Sequence, residues 1–248
     1  VEDEVRPSWQ KLVHLNWKFA LGLLLVVCIP RFILVLAANA SGNYSSIGTI
    51  MVISALSPFV FLTPFGRRKI GMTKPNRYSQ LLMAFVAGIA FSGLLYAIGR
   101  ILYATSFENW YVYIGKSYKI PAGISQPDRA SLFTIVAITG MLFSPIGEEL
   151  FFRGIVHTSF ARSIGEKRAS LVDSSAFALT HLSHFGLVFI DQQWRFLVMP
   201  AFLWVMSMFL VSRLFFWFKT ASGSLLGAIL CHAGFNLSMT YCIFYLLS

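Results

Sequence analysis

Charge is what this sequence lacks. Only 12% of its 248 residues are Asp, Glu, Lys or Arg, about half the ~25% usual in soluble domains. Acidic residues are the scarcest, 10 against 20 basic ones. Hydrophobic types fill 56% of the chain, 24 residues are Phe, and mean hydropathy is +0.69. That balance excludes an ordinary soluble domain and places the chain in a membrane. The net charge of +10 would suggest nucleic acid in a soluble protein. No basic stretch is interleaved with aromatics, so no nucleic-acid partner is expected. The basic residues fall mostly between apolar runs, where they fix topology and meet anionic lipid.

Cysteine is also sparse. Cys28, Cys231 and Cys242 lie in apolar runs without a CxxC motif, and read as small buried hydrophobes. A cleavable signal peptide, a second domain, an internal repeat and a low-complexity tract are all missing from the reading. Three catalytic signatures are missing too. There is no HExxH of zinc proteases, no intramembrane Gly-x-Ser-x-Gly, and no pair of aspartates within spans.

What is present is a series of apolar segments at 17–38, 47–65, 79–102, 130–147, 169–190, 196–218 and 223–247. Each is near the ~20 residues needed to cross a bilayer; the second and fourth are marginal. The expectation is an all-α polytopic membrane protein of seven to eight transmembrane helices. It forms one domain, 1–248, with a motif-bearing core at 130–248. Pro30-Arg31 interrupts the first segment, and Arg31 there needs a partner or an interfacial position.

Basic residues concentrate in alternate loops, at Arg67, Arg68, Lys69, Lys74 and Arg77, and again at Arg153, Arg162, Lys167 and Arg168. The positive-inside rule then puts the N-terminus in the cytoplasm and Ser248 outside. The loop 103–129 falls outside, with Trp110, Tyr111, Tyr113 and Tyr118 as a headgroup-level belt. Asn39-Ala40-Ser41 and Asn43-Tyr44-Ser45 are sequons on that side. Residues 7–16 read as a short interfacial helix, with Trp9, Val13 and Trp17 on one face.

The chemistry concentrates after the fourth segment, in Gly147-Glu148-Glu149-Leu150-Phe151-Phe152-Arg153-Gly154. Ionisable groups at a membrane segment are costly and mark a site or a paired network. Glu149 and Arg153 form an i, i+4 pair with the acid first. Glu148 lies about 100° around the helix and lacks a local cation, so a histidine from another span is its expected partner. His181 sits ~18 Å into segment five and His232 ~14 Å into segment seven, counting along a helix. Asn236 is i+4 from His232 and shares its face. Taken singly, either histidine reads as interhelical glue worth ~1 kcal/mol. Together, Glu148, His181, His232 and Asn236 read as a hydrolase site without a Ser or Cys nucleophile. A carboxylate beside an imidazole can take a proton from water, and His232 with Asn236 can donate to an oxyanion. Cys231 is turned about 100° from His232, against a Cys-His dyad. His184, one turn after His181, is a second supporting group or a metal ligand. His157 continues the Glu149-Arg153 face and reads as interfacial. No cofactor is expected, although Glu148 with two or three histidines also suits zinc.

These residues resemble a known family. Glu148-Glu149-Leu150-Phe151-Phe152-Arg153 resembles its EExxxR motif, 177–181 its FxxxH motif, and 232–236 its HxxxN/D motif. It is the CAAX protease and bacteriocin-processing family (CPBP, or Abi) of intramembrane proteases, which includes the Ras-converting-enzyme type. The resemblance implies helices enclosing a polar intramembrane cavity open to the cytoplasm. It implies Glu148 and His181 as water activators, His232 and Asn236 as oxyanion stabilisers, and Glu149 and Arg153 as supporting residues. The implied partners are membrane lipids and a peptide or protein substrate, whether prenylated, a bacteriocin or a signal peptide. With no organelle signal visible, a plasma (inner) membrane is the expected location. A zinc-dependent protease and a non-catalytic scaffold for a partner enzyme or bacteriocin immunity are the competing functions.

Overall fold

The computed structural model describes residues 3–247, so Val1 and the orientation marker Ser248 lie outside the described residues. The described chain is predominantly helical. In order come α1 (Trp17–Ser41), α2 (Ile47–Phe61), α3 (Pro64–Lys69), α4 (Ser79–Tyr103), α5 (Trp110–Gly115), α6 (Gln126–Glu148), α7 (His157–Ile164) and α8 (Glu166–Thr180). A hairpin of β1 (Leu187–Ile190) and β2 (Gln193–Phe196) follows, then α9 (Val198–Ser222) and α10 (Leu225–Tyr241). Local sequence sets the boundaries. Asn16 caps α1 by accepting from Lys18 and Phe19 N–H, and Ser125 and Ser224 cap α6 and α10 in the same way, satisfying amides that the first turn leaves free. Gly42 and Gly223 end α1 and α9 in the left-handed region, where glycine carries no Cβ penalty.

Five helical stretches are long and apolar enough to cross a membrane: Trp17–Ser41, Ser79–Tyr103, Gln126–Ile164, Val198–Ser222 and Leu225–Leu246. The protein is therefore an all-α membrane protein, with two departures from the seven segments read in the sequence. α2 has 15 residues, short of a span. The 169–190 segment is not one helix. α8 stops at Thr180, a 3-10 turn covers His181–Ser183, and the chain turns into the hairpin. Its apolar residues were legible, but their continuity was not a helix. Pro30, conversely, does not break α1.

Two other expectations are corrected. Residues 7–12 form turns rather than a helix, because the N-terminal segment folds back: Val5 bridges Leu62, and Thr63 donates to the Asp3 carbonyl at 2.7 Å. The aromatic cluster is core, not belt. Trp110 and Tyr111 are buried; Trp110 donates to the Leu95 carbonyl at 3.2 Å and Tyr111 to the Ser92 carbonyl at 2.8 Å. α5 thus plugs into the bundle against α4.

α4 and α10 approach closely. A Cβ on Gly88 would strike the Cys231 carbonyl, and one on Gly234 the Phe85 carbonyl. Small residues on facing helices allow this approach, and it fixes α10, the helix that carries His232 and Asn236. The cysteines are free, with Cys231 and Cys242 buried, as read from their apolar settings.

Candidate active site

The site is built on a helical irregularity. α6 runs without a break into a π-helix, Glu149–Val156, which continues into α7. The EExxxR residues therefore straddle the point where i→i+4 bonding gives way to i→i+5, a geometry common at functional sites. Lys219, from the end of α9, donates to the Arg153 carbonyl at 2.6 Å and satisfies an acceptor within the π-helix.

The two glutamates point to different neighbours, as their ~100° separation requires. Glu149 is fully buried and faces α10. Its Oε1 accepts from His232 Nδ1 at 2.8 Å, and its Oε2 lies 3.2 Å from Arg153 Nε. The i, i+4 ion pair read from the sequence is present. Arg153 also donates to Ser212, and its guanidinium lies 4.4 Å from the Phe177 ring centre and 5.3 Å from that of Phe215. His232 stacks on Phe215 at 4.6 Å with planes 14° apart.

Glu148 turns instead towards α1 and the end of α8. Its expected partner was a histidine, but its closest cation is Arg31, whose Nη2 donates to Oε1 at 2.8 Å. Ser144 Oγ donates to the same oxygen at 2.6 Å. The other oxygen, Oε2, is buried without a hydrogen-bond partner. It faces His181 Nε2 across 3.7 Å.

His181 owes its position to the 3-10 turn. Its Nδ1 lies 2.7 Å from the Phe177 carbonyl. A carbonyl only accepts, so Nδ1 carries a proton. In the neutral ring Nε2 then presents its lone pair to Glu148 Oε2. Two acceptors face each other there, with no hydrogen bond between them. Trp204 holds the turn by donating to the His181 carbonyl at 3.0 Å. Asn39 also holds it, donating to the Ser183 carbonyl at 2.8 Å; this first sequon asparagine is therefore engaged in packing.

His184 stacks near His181, ring centres 5.3 Å apart, with Nε2 buried and unpartnered. Asn236 uses Nδ2 to donate to the Gly140 carbonyl at 2.9 Å, leaving one N–H and the side-chain oxygen. His157 is buried within the protein, with Nδ1 2.6 Å from Asp173 and Nε2 2.7 Å from Glu166, and so belongs to a separate cluster.

Glu148 and His181 thus face each other across 3.7 Å, whereas His232 is held by Glu149, about 100° around the helix. Among the described residues no three His, Cys, Asp or Glu side chains are arranged to hold a metal. The sequence reading missed two members of the site, Ser144 and Arg31. Ser144 carries a signal, being i−4 from Glu148; Arg31 carries only its unexplained charge.

Residues 130–238 match the family model described as type II CAAX prenyl endopeptidase Rce1-like. No curated protein and no solved structure matches the chain. The matched segment contains all three motifs and stops short of α1, α2 and α4. Residues 130–238 are therefore similar to Rce1-like type II CAAX prenyl endopeptidases, a likeness consistent with the CPBP family.

Proposed function

We propose that this protein hydrolyses a peptide bond inside the membrane with a water activated by Glu148 and His181. The observation that carries the reading is the facing pair of acceptors, Glu148 Oε2 and His181 Nε2, 3.7 Å apart. A water donating to both has its oxygen lone pairs free for attack. Its oxygen bonds to the peptide carbon while one proton passes to the Glu148–His181 pair. The carbonyl π electrons move onto the oxygen. Collapse of the tetrahedral species breaks the C–N bond, and the held proton goes to the leaving amine.

The developing oxyanion needs donors. The remaining N–H of Asn236 is one. His232 is the other, in a specific state. Its Nδ1 faces a carboxylate and so donates; for Nε2 to donate as well, the ring must be the imidazolium. Glu149 is the counter-ion for that form, and Arg153 orients Glu149. Glu149 and Arg153 thus support the oxyanion side, and His184 flanks the water-activating side. The reaction is proposed to run without metal, since Glu148 and His232 are drawn to different neighbours.

The proposal extends to setting. The N-terminus is cytoplasmic, the site is reached from the cytoplasm, and the membrane is the plasma (inner) membrane. The chain acts as one unit, 1–248, with 130–248 as its core. Lipid and a peptide or protein substrate are its partners. The test is cleavage of a peptide library by the purified protein, with and without chelator, beside Glu148→Gln. Cleavage that survives chelation and is lost in the variant supports the reading.

A further inference from the structure

The family match begins at residue 130, yet the cation on Glu148 comes from α1. We propose that Arg31 is a positioning residue for the Glu148 carboxylate, which makes α1 a working part of the active site. The proposal rests on Glu148 being the water-activating carboxylate.

α1 has two faces. Leu25, Val26, Ile29 and Ile33 are exposed, as suits lipid contact. Ala20, Leu24, Val27, Arg31, Val35 and Ala38 are buried, at the spacing of one helical stripe. Arg31 is the single charge on that stripe, 4% exposed. A guanidinium so placed needs a counter-charge, and Glu148, on an element 117 positions away, supplies it.

The direction of the contact separates positioning from simple neutralisation. Arg31 and Ser144 both donate to Oε1. Two donors from different helices fix one oxygen and with it the carboxylate plane. The remaining oxygen is held towards His181 without a direct bond to it. With Arg31 removed, Ser144 alone does not fix the plane. The carboxylate can then rotate, which moves Oε2 from its place opposite His181 Nε2 and misplaces a water activated by the pair. Placement errors of about 1 Å cost roughly 100-fold in rate.

The test uses the full-length protein with one peptide cleaved by the wild type. It measures kcat, KM and the fraction folded for Arg31→Met, Arg31→Lys and Glu148→Gln. Arg31→Met is expected to lower kcat about 100-fold with KM unchanged, and Arg31→Lys to recover part of the loss. A folded Arg31→Met with wild-type kcat would overturn the proposal. So would a loss matched by the folded fraction alone. If Arg31→Met does not fold, Arg31→Lys decides. A single ammonium holds the oxygen less directionally than a guanidinium, so kcat falls several-fold at constant KM; unchanged kcat and KM would overturn the proposal. The two readings fail differently. An active Glu148→Gln sinks the proposed function, whereas an active Arg31→Met beside an inactive Glu148→Gln sinks the role of Arg31 alone.

Discussion

Adjacent glutamates with unlike neighbours divide the work at the residue scale. Glu149 is enclosed by Arg153 and His232, so Glu149→Gln leaves a buried guanidinium without its counter-charge. Removing one partner of a buried pair costs about 3–5 kcal/mol. The expected outcome is a lower Tm and a reduced folded yield. Thermal unfolding in detergent checks it, and a Tm equal to wild type would contradict it. The sequence made this pair legible because i, i+4 spacing is local. It also separated the two acids by the helical angle. It pointed to a histidine opposite Glu148, which His181 supplies, but not to Arg31, because a contact across 117 positions leaves no trace in spacing. A consequence follows for Glu148→Gln. From the sequence alone that change is silent for the fold; with Arg31 against it, the variant also carries a stability cost.

Among the elements, the helices were legible from apolar length and caps, and the breaks were not. The π-helix at Glu149–Val156 changes which carbonyl each amide meets, while the residues themselves are ordinary helix formers. The end of α8 at Thr180 lies inside an apolar run that reads as continuous. Likewise, the aromatics of α5 are as compatible with a headgroup belt as with the core they join. The α4–α10 approach gives a sharp test. At Gly88 an added methyl meets backbone on α10, whereas at Gly22 it meets nothing within 4 Å. Gly88→Ala is expected to destabilise by at least ~1–3 kcal/mol through overpacking. Gly22→Ala is expected to be neutral or stabilising by up to ~1 kcal/mol. Parallel melts of the two variants decide; equal Tm values would mean that α4 and α10 are not in close contact.

For the whole molecule, the separation of basic and neutral loops is the ground for the proposed orientation. Arg67 and Arg68 on α3, with Lys167 and Arg168 at the start of α8, are proposed to face the cytoplasm. Gly123, in the loop before α6, is proposed to face the opposite side. Single cysteines at Arg67 and Gly123, in a background without Cys28, Cys231 and Cys242, are expected to react with an impermeant thiol reagent from opposite sides of sealed vesicles. Labelling of both from the same side would refute the topology. Five helices are long and apolar enough to cross, and the shorter α2 still returns the chain to the N-terminal segment, where Val5 bridges Leu62; hydropathy does not register where a helix stops.

The central claim is that Glu148 and His181 activate water for peptide hydrolysis without a metal. Its most direct measurement is the turnover of a cleaved peptide by purified wild type and Glu148→Gln, each normalised to folded protein and each assayed before and after exhaustive chelation. The account predicts wild-type turnover unchanged by chelation and a loss of about 100- to 10,000-fold in Glu148→Gln, the range for removing a general base. Turnover that persists in the folded variant, or wild-type turnover that disappears with the chelator and returns with zinc, would contradict it.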